Sequence, residues 1–203
     1  IDTLALLPTG GGKSLCFQLP AIMRGGLCLV VSPLIALMED QTHQLKLAHT
    51  RAASLTGSIG RDGIDRVLEN AALGKLDFLY LSPERLSDPM FLSRAERLDV
   101  RTIAIDEAHC ISQWGHDFRP SFRSISKLRS LFPKAVFGAY TATATEDVLK
   151  DIEEQLCLKN VKIFSSSTRR SNLQFQVSHW GDPVLELLET AIEMSKKYPN
   201  GSG

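Results

Sequence analysis

Two hydrophobic rhythms alternate along this chain. Short, mainly apolar strand-like runs occupy residues 3–7, 27–31, 51–55, 78–81, 102–105, 135–140 and 161–164. Between them apolar residues recur at helical spacing, as in Ile64, Val67, Leu68 and Ala71, and again in Phe122, Ile125, Leu128 and Leu131. Runs that are apolar throughout, rather than alternately, suit strands buried on both faces. Strands interleaved with helices predict βαβ units. The chain is therefore expected to be α/β, with a mostly parallel sheet and helices on both faces.

The rhythm changes near Phe164. Ser165, Ser166, Ser167 and Thr168 form a polar stretch, followed by Arg169 and Arg170. Beyond it come one strand-like piece, residues 173–178, and an amphipathic helix from Pro183 to about Lys197, with Val184, Leu187, Leu188, Ala191 and Ile192 on one stripe. One strand and one helix cannot bury a core of their own. The expected organisation is a domain over residues 1–167 and the opening of a second, truncated domain over 168–203. The chain starts at Ile1 without an initiator Met, and so reads as cut from something longer. No internal repeat or low-complexity tract interrupts it.

Composition narrows the picture only slightly. Hydrophobic residues make up 43% and charged residues 23%, as in an ordinary globular core. No apolar run is long enough to span a bilayer, and no membrane partner is expected. Lys and Arg number 23 against 23 Asp and Glu, so there is no basic surplus to attract nucleic acid at long range. Any phosphate contact must then come chiefly from backbone N–H groups and a few placed side chains. Cys16, Cys28, Cys110 and Cys157 are widely separated, so neither zinc-ligand spacing nor a disulfide framework is expected.

Local strings carry the chemistry. Leu7-Pro-Thr-Gly-Gly-Gly-Lys-Ser14 follows a strand run and opens a helix. Glycines there let successive N–H groups turn inward around phosphates, and the helix N-terminus adds partial positive charge. Thr9, Gly10, Gly11, Gly12, Lys13 and Ser14 are the expected ATP-binding residues. Lys13 would reach the outer phosphates, and the Ser14 hydroxyl would ligate Mg²⁺. The first glycine of the usual G-x-x-x-x-G-K-[ST] pattern is Leu7 here. The run 102–105 delivers Asp106-Glu-Ala-His109. Asp106 is placed to hold the metal and Glu107 to orient and deprotonate an attacking water. Nearby, Trp114 and Phe118 stand among His116, Asp117 and Arg119. Aromatic faces stack on bases of any sequence, and Arg adds phosphate or cation–π contacts.

Asp106 to His109 followed by Cys110-Ile-Ser-Gln-Trp-Gly-His-Asp-Phe-Arg-Pro120 closely resembles motif II and the aromatic-rich loop of RecQ helicases. Leu7 to Ser14 looks like their motif I, Val30-Val-Ser-Pro-Leu-Ile-Ala-Leu-Met-Glu-Asp-Gln41 like motif Ia, and Leu81-Ser-Pro-Glu-Arg85 like the next DNA-side motif. Thr141-Ala-Thr-Ala-Thr145 looks like motif III, and Arg169 to Leu173 like the start of a second motor domain. The order matches the family's over nearly the whole length. Superfamily 2 helicases commonly relax the first glycine of motif I, which accommodates Leu7.

The resemblance implies a RecA-like P-loop domain that binds ATP, Mg²⁺ and single-stranded DNA. It also implies 3′ to 5′ unwinding of forked duplex by the full-length protein, in DNA repair and recombination. His109, Gln113, Trp114, His116, Phe118, Arg119, Thr141 and Thr143 would couple the two ligands; the two threonines could alternatively cap a helix before Glu146. Ser32, Pro33, Ser82 and Trp114 would contact DNA. Location would be the cytoplasm, at the nucleoid, in a bacterium and the nucleus in a eukaryote. The family's adenine-reading segment, arginine finger and zinc region fall outside this sequence, so no zinc site is expected and turnover by this stretch alone should be slow. Two other readings are an RNA-directed DEAH- or DEAD-box enzyme and a P-loop kinase or nucleotide-gated binding module.

Overall fold

The computed structural model describes residues 1–114, 117–166 and 183–197. The chain divides into two units, Ile1–Thr168 and Arg169–Gly203. In the first, seven strands form one sheet in the order β3-β4-β2-β5-β6-β1-β7. They are β1 (Thr3–Leu6), β2 (Leu27–Val31), β3 (Ala52–Leu55), β4 (Phe78–Leu81), β5 (Val100–Ile105), β6 (Val136–Thr141) and β7 (Lys162–Ser165). Each pairing is parallel. The carboxyl ends of all seven strands therefore lie along a single edge of the sheet.

Helices cover both faces, as the apolar runs require. Side chains alternate between faces along a strand. In β2, Cys28 and Val30 point to the same face as Tyr80 of β4 and Ala104 of β5. There they meet Phe17 and Ala21 of α1 (Lys13–Arg24) and Met38 and Leu45 of α2 (Ile35–Leu47). Leu29 and Val31 join Leu79, Leu81, Ile103, Ile105 and Phe137 on the other face. Ile64 and Leu68 of α3 (Gly60–Ala72) and Phe91 of α4 (Pro89–Ala95) pack on that side. So do Leu128 of α5 (Leu128–Leu131) and Val148 and Ile152 of α6 (Glu146–Gln155).

The segment carrying Phe122, Ile125, Leu128 and Leu131 differs from an ordinary α-helix. Pro120–Lys127 is a 3₁₀-helix that passes into the short α5. The reason lies in the spacing itself. Those residues recur every third position, and a 3₁₀-helix has three residues per turn, so Phe122, Ile125 and Leu128 all face the core.

Within the second unit the described residues form α7 (Pro183–Lys197). The strand expected over 173–178 lies outside the described residues.

Candidate functional site

The phosphate loop joins β1 to α1. Gly10 and Gly12 take φ of 77° and 76°, the left-handed region that favours glycine. Gly11 is constrained differently. Its N–H donates to the Pro8 carbonyl at 2.8 Å, and a Cβ at Gly11 would stand 2.8 Å from that same oxygen. The loop thus closes tightly on itself and leaves its outer surface to a ligand. Gly12 caps α1 and has no side chain to offer the first N–H groups of that helix, which point toward the phosphate loop. These are features that nucleotide phosphates fit.

The metal-side groups sit at the end of β5. Asp106 is 3% exposed, and its N–H donates to the Val31 carbonyl at 2.9 Å, which fixes it to the neighbouring β2. Burial, reinforced by the charge of Glu107, pushes its carboxyl up to about 6, against the hydrogen bond from the Glu107 N–H and the charge of Lys13. A buried carboxylate at this cost, facing the lysine of the phosphate loop, suits a divalent cation between them. Asp106 Oδ1 accepts the Glu107 N–H at 3.0 Å. Glu107 itself adopts φ of 49°. A non-glycine residue in that region is strained, and such strain is often found at functional positions.

A chain of polar contacts runs from Glu107 to the end of β6. His109 Nδ1 lies 3.4 Å from Glu107 Oε2 and 2.9 Å from Thr141 Oγ1. The Thr141 hydroxyl donates to the Thr143 carbonyl at 3.2 Å, so the network assigns the Nδ1 proton to the His109–Thr141 bond. The Thr141 carbonyl in turn accepts the Leu7 N–H at 3.0 Å, at the entrance to the phosphate loop. Neither Thr141 nor Thr143 caps the helix before Glu146, because Thr145 does, accepting from Val148 N–H at 3.4 Å.

Beyond the short 3₁₀ turn Ala108–Ile111, the aromatic loop departs along the same sheet edge. Trp114 is 80% exposed, its N–H held by Ser112 Oγ at 3.2 Å. Phe118 is half-buried beneath the Arg123 guanidinium, 5.3 Å from the ring centre. Arg119 binds the loop in three directions. Its N–H donates to the Cys110 carbonyl at 2.8 Å, and its guanidinium donates to the Pro33 carbonyl and to Asp117, each at 3.4 Å. Gln113 is exposed beside Trp114. His116 lies outside the described residues.

The structure brings Lys13, Asp106, Glu107, His109 and Thr141 to one edge, with Arg119 and Pro33 beside them. Ser82 is half-buried after β4 and precedes the 3₁₀ turn Pro83–Ser87 without capping it. Ser32 departs from its expected use. It is 1% exposed, and its hydroxyl, without a hydrogen-bond partner, lies inside the protein instead of being offered to a phosphate. Pro33, half-buried, is the part nearer the surface, and its carbonyl accepts from Arg119.

Sequence reasoning missed the acceptors. The carbonyls of Pro33, Pro83, Cys110 and Thr141 tie the strand-end loops together, and backbone carbonyls leave no trace in residue identity. Glu84, with Ser121 and Ser124, also went unassigned although it stands inside a recognisable string.

Residues 1–152 match the family model described as DEAD/DEAH box helicase. The ATP-dependent DNA helicase RecQ of Bacillus subtilis is 45% identical over 177 residues, covering 87% of this chain and 30% of that protein. The ATP-dependent DNA helicase Q1 of Mus musculus is 38% identical over 213 residues, covering 100% of this chain and 32% of that one. The chain thus spans about a third of the length of these relatives. In fold it resembles the DUF1998 helicase MrfA, with a TM-score of 0.68 at 22% identity over 97% of this chain and 32% of that one. The phosphate loop, the buried Asp106 and the match over three quarters of the sequence agree: this chain belongs to the DEAD/DEAH box helicase family.

Proposed function

We propose that this chain is the first motor domain of a RecQ-type DNA helicase, binding ATP–Mg²⁺ at the phosphate loop and single-stranded DNA along the loops after β2, β4 and β5. One observation carries the reading. Contacts run without a break from the loop bearing Trp114, through Arg119 and Cys110, to the turn that holds Glu107 and His109, and on to Thr141 and Leu7.

In this reading the backbone of Gly10–Gly12 and the first turn of α1 cradle the phosphates, and Lys13 neutralises charge on them. Bound Mg²⁺, held through Ser14 and Asp106, would supply Lewis-acid stabilisation of the transferring phosphoryl group. Glu107 accepts a proton from the attacking water, and the bond from His109 to Thr141 keeps the imidazole beside Glu107 in one orientation. Trp114 is free of packing and stacks on a base. A base docked there moves the 112–119 segment against Cys110, and thereby the turn carrying Glu107. In the whole protein, repeated turnover of this kind would drive 3′ to 5′ movement along one strand and open forked duplex.

The test is steady-state ATP hydrolysis by the full-length protein with no nucleic acid, with single-stranded DNA and with single-stranded RNA, beside Trp114→Ala. DNA stimulation that Trp114→Ala reduces by about tenfold or more, with basal turnover intact, supports the reading. Stimulation by RNA alone would assign an RNA motor. Equal rates in all three conditions would leave an ATPase with no nucleic-acid function.

A further inference from the structure

The groups expected to hold phosphate and metal arrive on different elements. Lys13 and Ser14 begin α1, whereas Asp106 follows β5. Gly10, Gly11 and Gly12 precede the helix and offer no side chains to brace its start. Pro20 adds a second weak point. It lies inside α1, has no N–H for the Cys16 carbonyl and crowds that carbonyl, so the first half of the helix is not rigidly continued by the second. What holds the first half against the sheet must come from its own side chains.

Two contacts do this. Phe17 packs on Tyr140 of β6, with ring centres 5.3 Å apart. Gln18 Nε2 donates to the Tyr80 hydroxyl of β4 at 3.1 Å, and among the described residues this is the one side-chain hydrogen bond from α1 to a strand. An apolar contact has no preferred direction, but a hydrogen bond fixes both length and angle. In the sheet β5 lies between β4 and β6, so the two tethers come from either side of the strand that leads into Asp106. Register places Tyr80 beside Val30 and Val30 beside Ala104, on one face, and Asp106 is two residues on from Ala104. Tyr80 is buried, and that burial, with smaller effects of nearby Cys28 and Asp106, pushes its hydroxyl above the usual tyrosine range against the Gln18 bond. Gln18 is four residues after Ser14 and so lies on the same side of the helix.

We propose that Gln18 and Tyr80 are positioning residues for the metal: their hydrogen bond sets how the Ser14 end of α1 stands relative to Asp106, the gap that a bound Mg²⁺ would bridge. This rests on the ATP–Mg²⁺ reading above. Phosphates alone need only the loop and the helix start, which move together. The cation needs ligands from both α1 and β5, so it is sensitive to any play between them. Loss of the bond therefore weakens metal-bound nucleotide and spares bare nucleotide.

The experiment measures the affinity of the full-length protein for a fluorescent ADP analogue, once with Mg²⁺ and once in EDTA. It compares the wild type with Tyr80→Phe, Gln18→Met and the double variant. Phenylalanine keeps the ring, and methionine keeps an unbranched side chain that suits a helix. The affinity gained on adding Mg²⁺ should fall about fivefold in either single variant, the size of one hydrogen bond. Affinity in EDTA should stay at the wild-type value, and the double variant should be no worse than either single one. Half-saturating Mg²⁺ for ATP hydrolysis should rise in step. An undiminished Mg²⁺ gain in Tyr80→Phe would overturn the proposal while leaving the ATP–Mg²⁺ reading intact. So would a loss of equal size in EDTA, which marks a general loosening of α1, and so would additive losses in the double variant. A wild type whose nucleotide affinity ignores Mg²⁺ would instead remove that reading and this inference with it.

Discussion

A single buried carboxylate shows how the site trades stability for chemistry. Asp106 has its proton affinity raised from 3.8 to about 6 by burial and by Glu107. Between those two values the folded state holds more protons than the unfolded one, so stability falls as pH rises through the window and stays low above it. Asp106→Asn removes this penalty. The variant should be more stable than the wild type at pH 8 by about 3 kcal/mol, with the gap closing below pH ~4, as followed by thermal denaturation across pH. Adding Mg²⁺–nucleotide should restore stability to the wild type and not to the variant. A variant less stable than the wild type at pH 8 would show that Asp106 is satisfied by its protein neighbours alone.

At the scale of elements, the strands were far more legible than their connections. Each of the seven apolar runs became a strand with ends shifted by at most two residues; for the inner strands β2, β4 and β6 the reason is that a strand covered on both faces must be apolar at consecutive positions, whereas the edge strand β7 is exposed. The period of three in Phe122, Ile125 and Leu128 was visible too, and it described a 3₁₀-helix. The motif strings named Lys13, Asp106, Glu107 and Arg119 for a similar reason: each is a local pattern of side chains. What joins them is not local. Arg119 and Pro33 are 86 residues apart, Ser124 and Pro83 41, and in both the acceptor is a backbone carbonyl. Ser32, expected at the surface for DNA, is buried instead, because a small hydroxyl at a strand end serves packing as readily as ligand binding.

One such hidden joint fastens the sheet. Asp2 is 4% exposed and accepts from Phe137 N–H at 2.9 Å, Lys159 N–H at 2.7 Å and the Arg129 guanidinium at 2.5 Å. It therefore links the start of β1 to β6, to α5 and to the turn before β7. Arg129 also lies 3.6 Å above the Phe137 ring. Asp2→Ala would leave that cation buried and three donors unmet, at a cost of about 3–5 kcal/mol, measurable by urea denaturation. A cost under about 1 kcal/mol would mean that water enters and takes the carboxylate's place.

Across the whole first unit, the strand order explains how a neutral chain gathers its chemistry. Parallel strands place every carboxyl end on one edge, and ligands of such sheets bind there. The residues for phosphate, metal and the aromatic loop come from β1, β5 and β6 and the loops beside them, although they are scattered from Thr9 to Thr143 in the sequence.

The same order sets a timetable for synthesis. Among the seven strands of this sheet the earliest in sequence, β1, has as its neighbours the two latest, β6 and β7. The strands β3, β4, β2 and β5 are contiguous in the sheet and complete by Ile105. As the chain leaves the ribosome those four can assemble while β1 waits without a partner. A chain stopped after Leu131 should protect the amides of β2 and β4 from exchange and yet have no measurable affinity for nucleotide. Nucleotide capture by so short a chain would show that the loop takes its shape without the sheet. Otherwise the phosphate loop takes its binding shape only once the strands on both sides of β1 are in place.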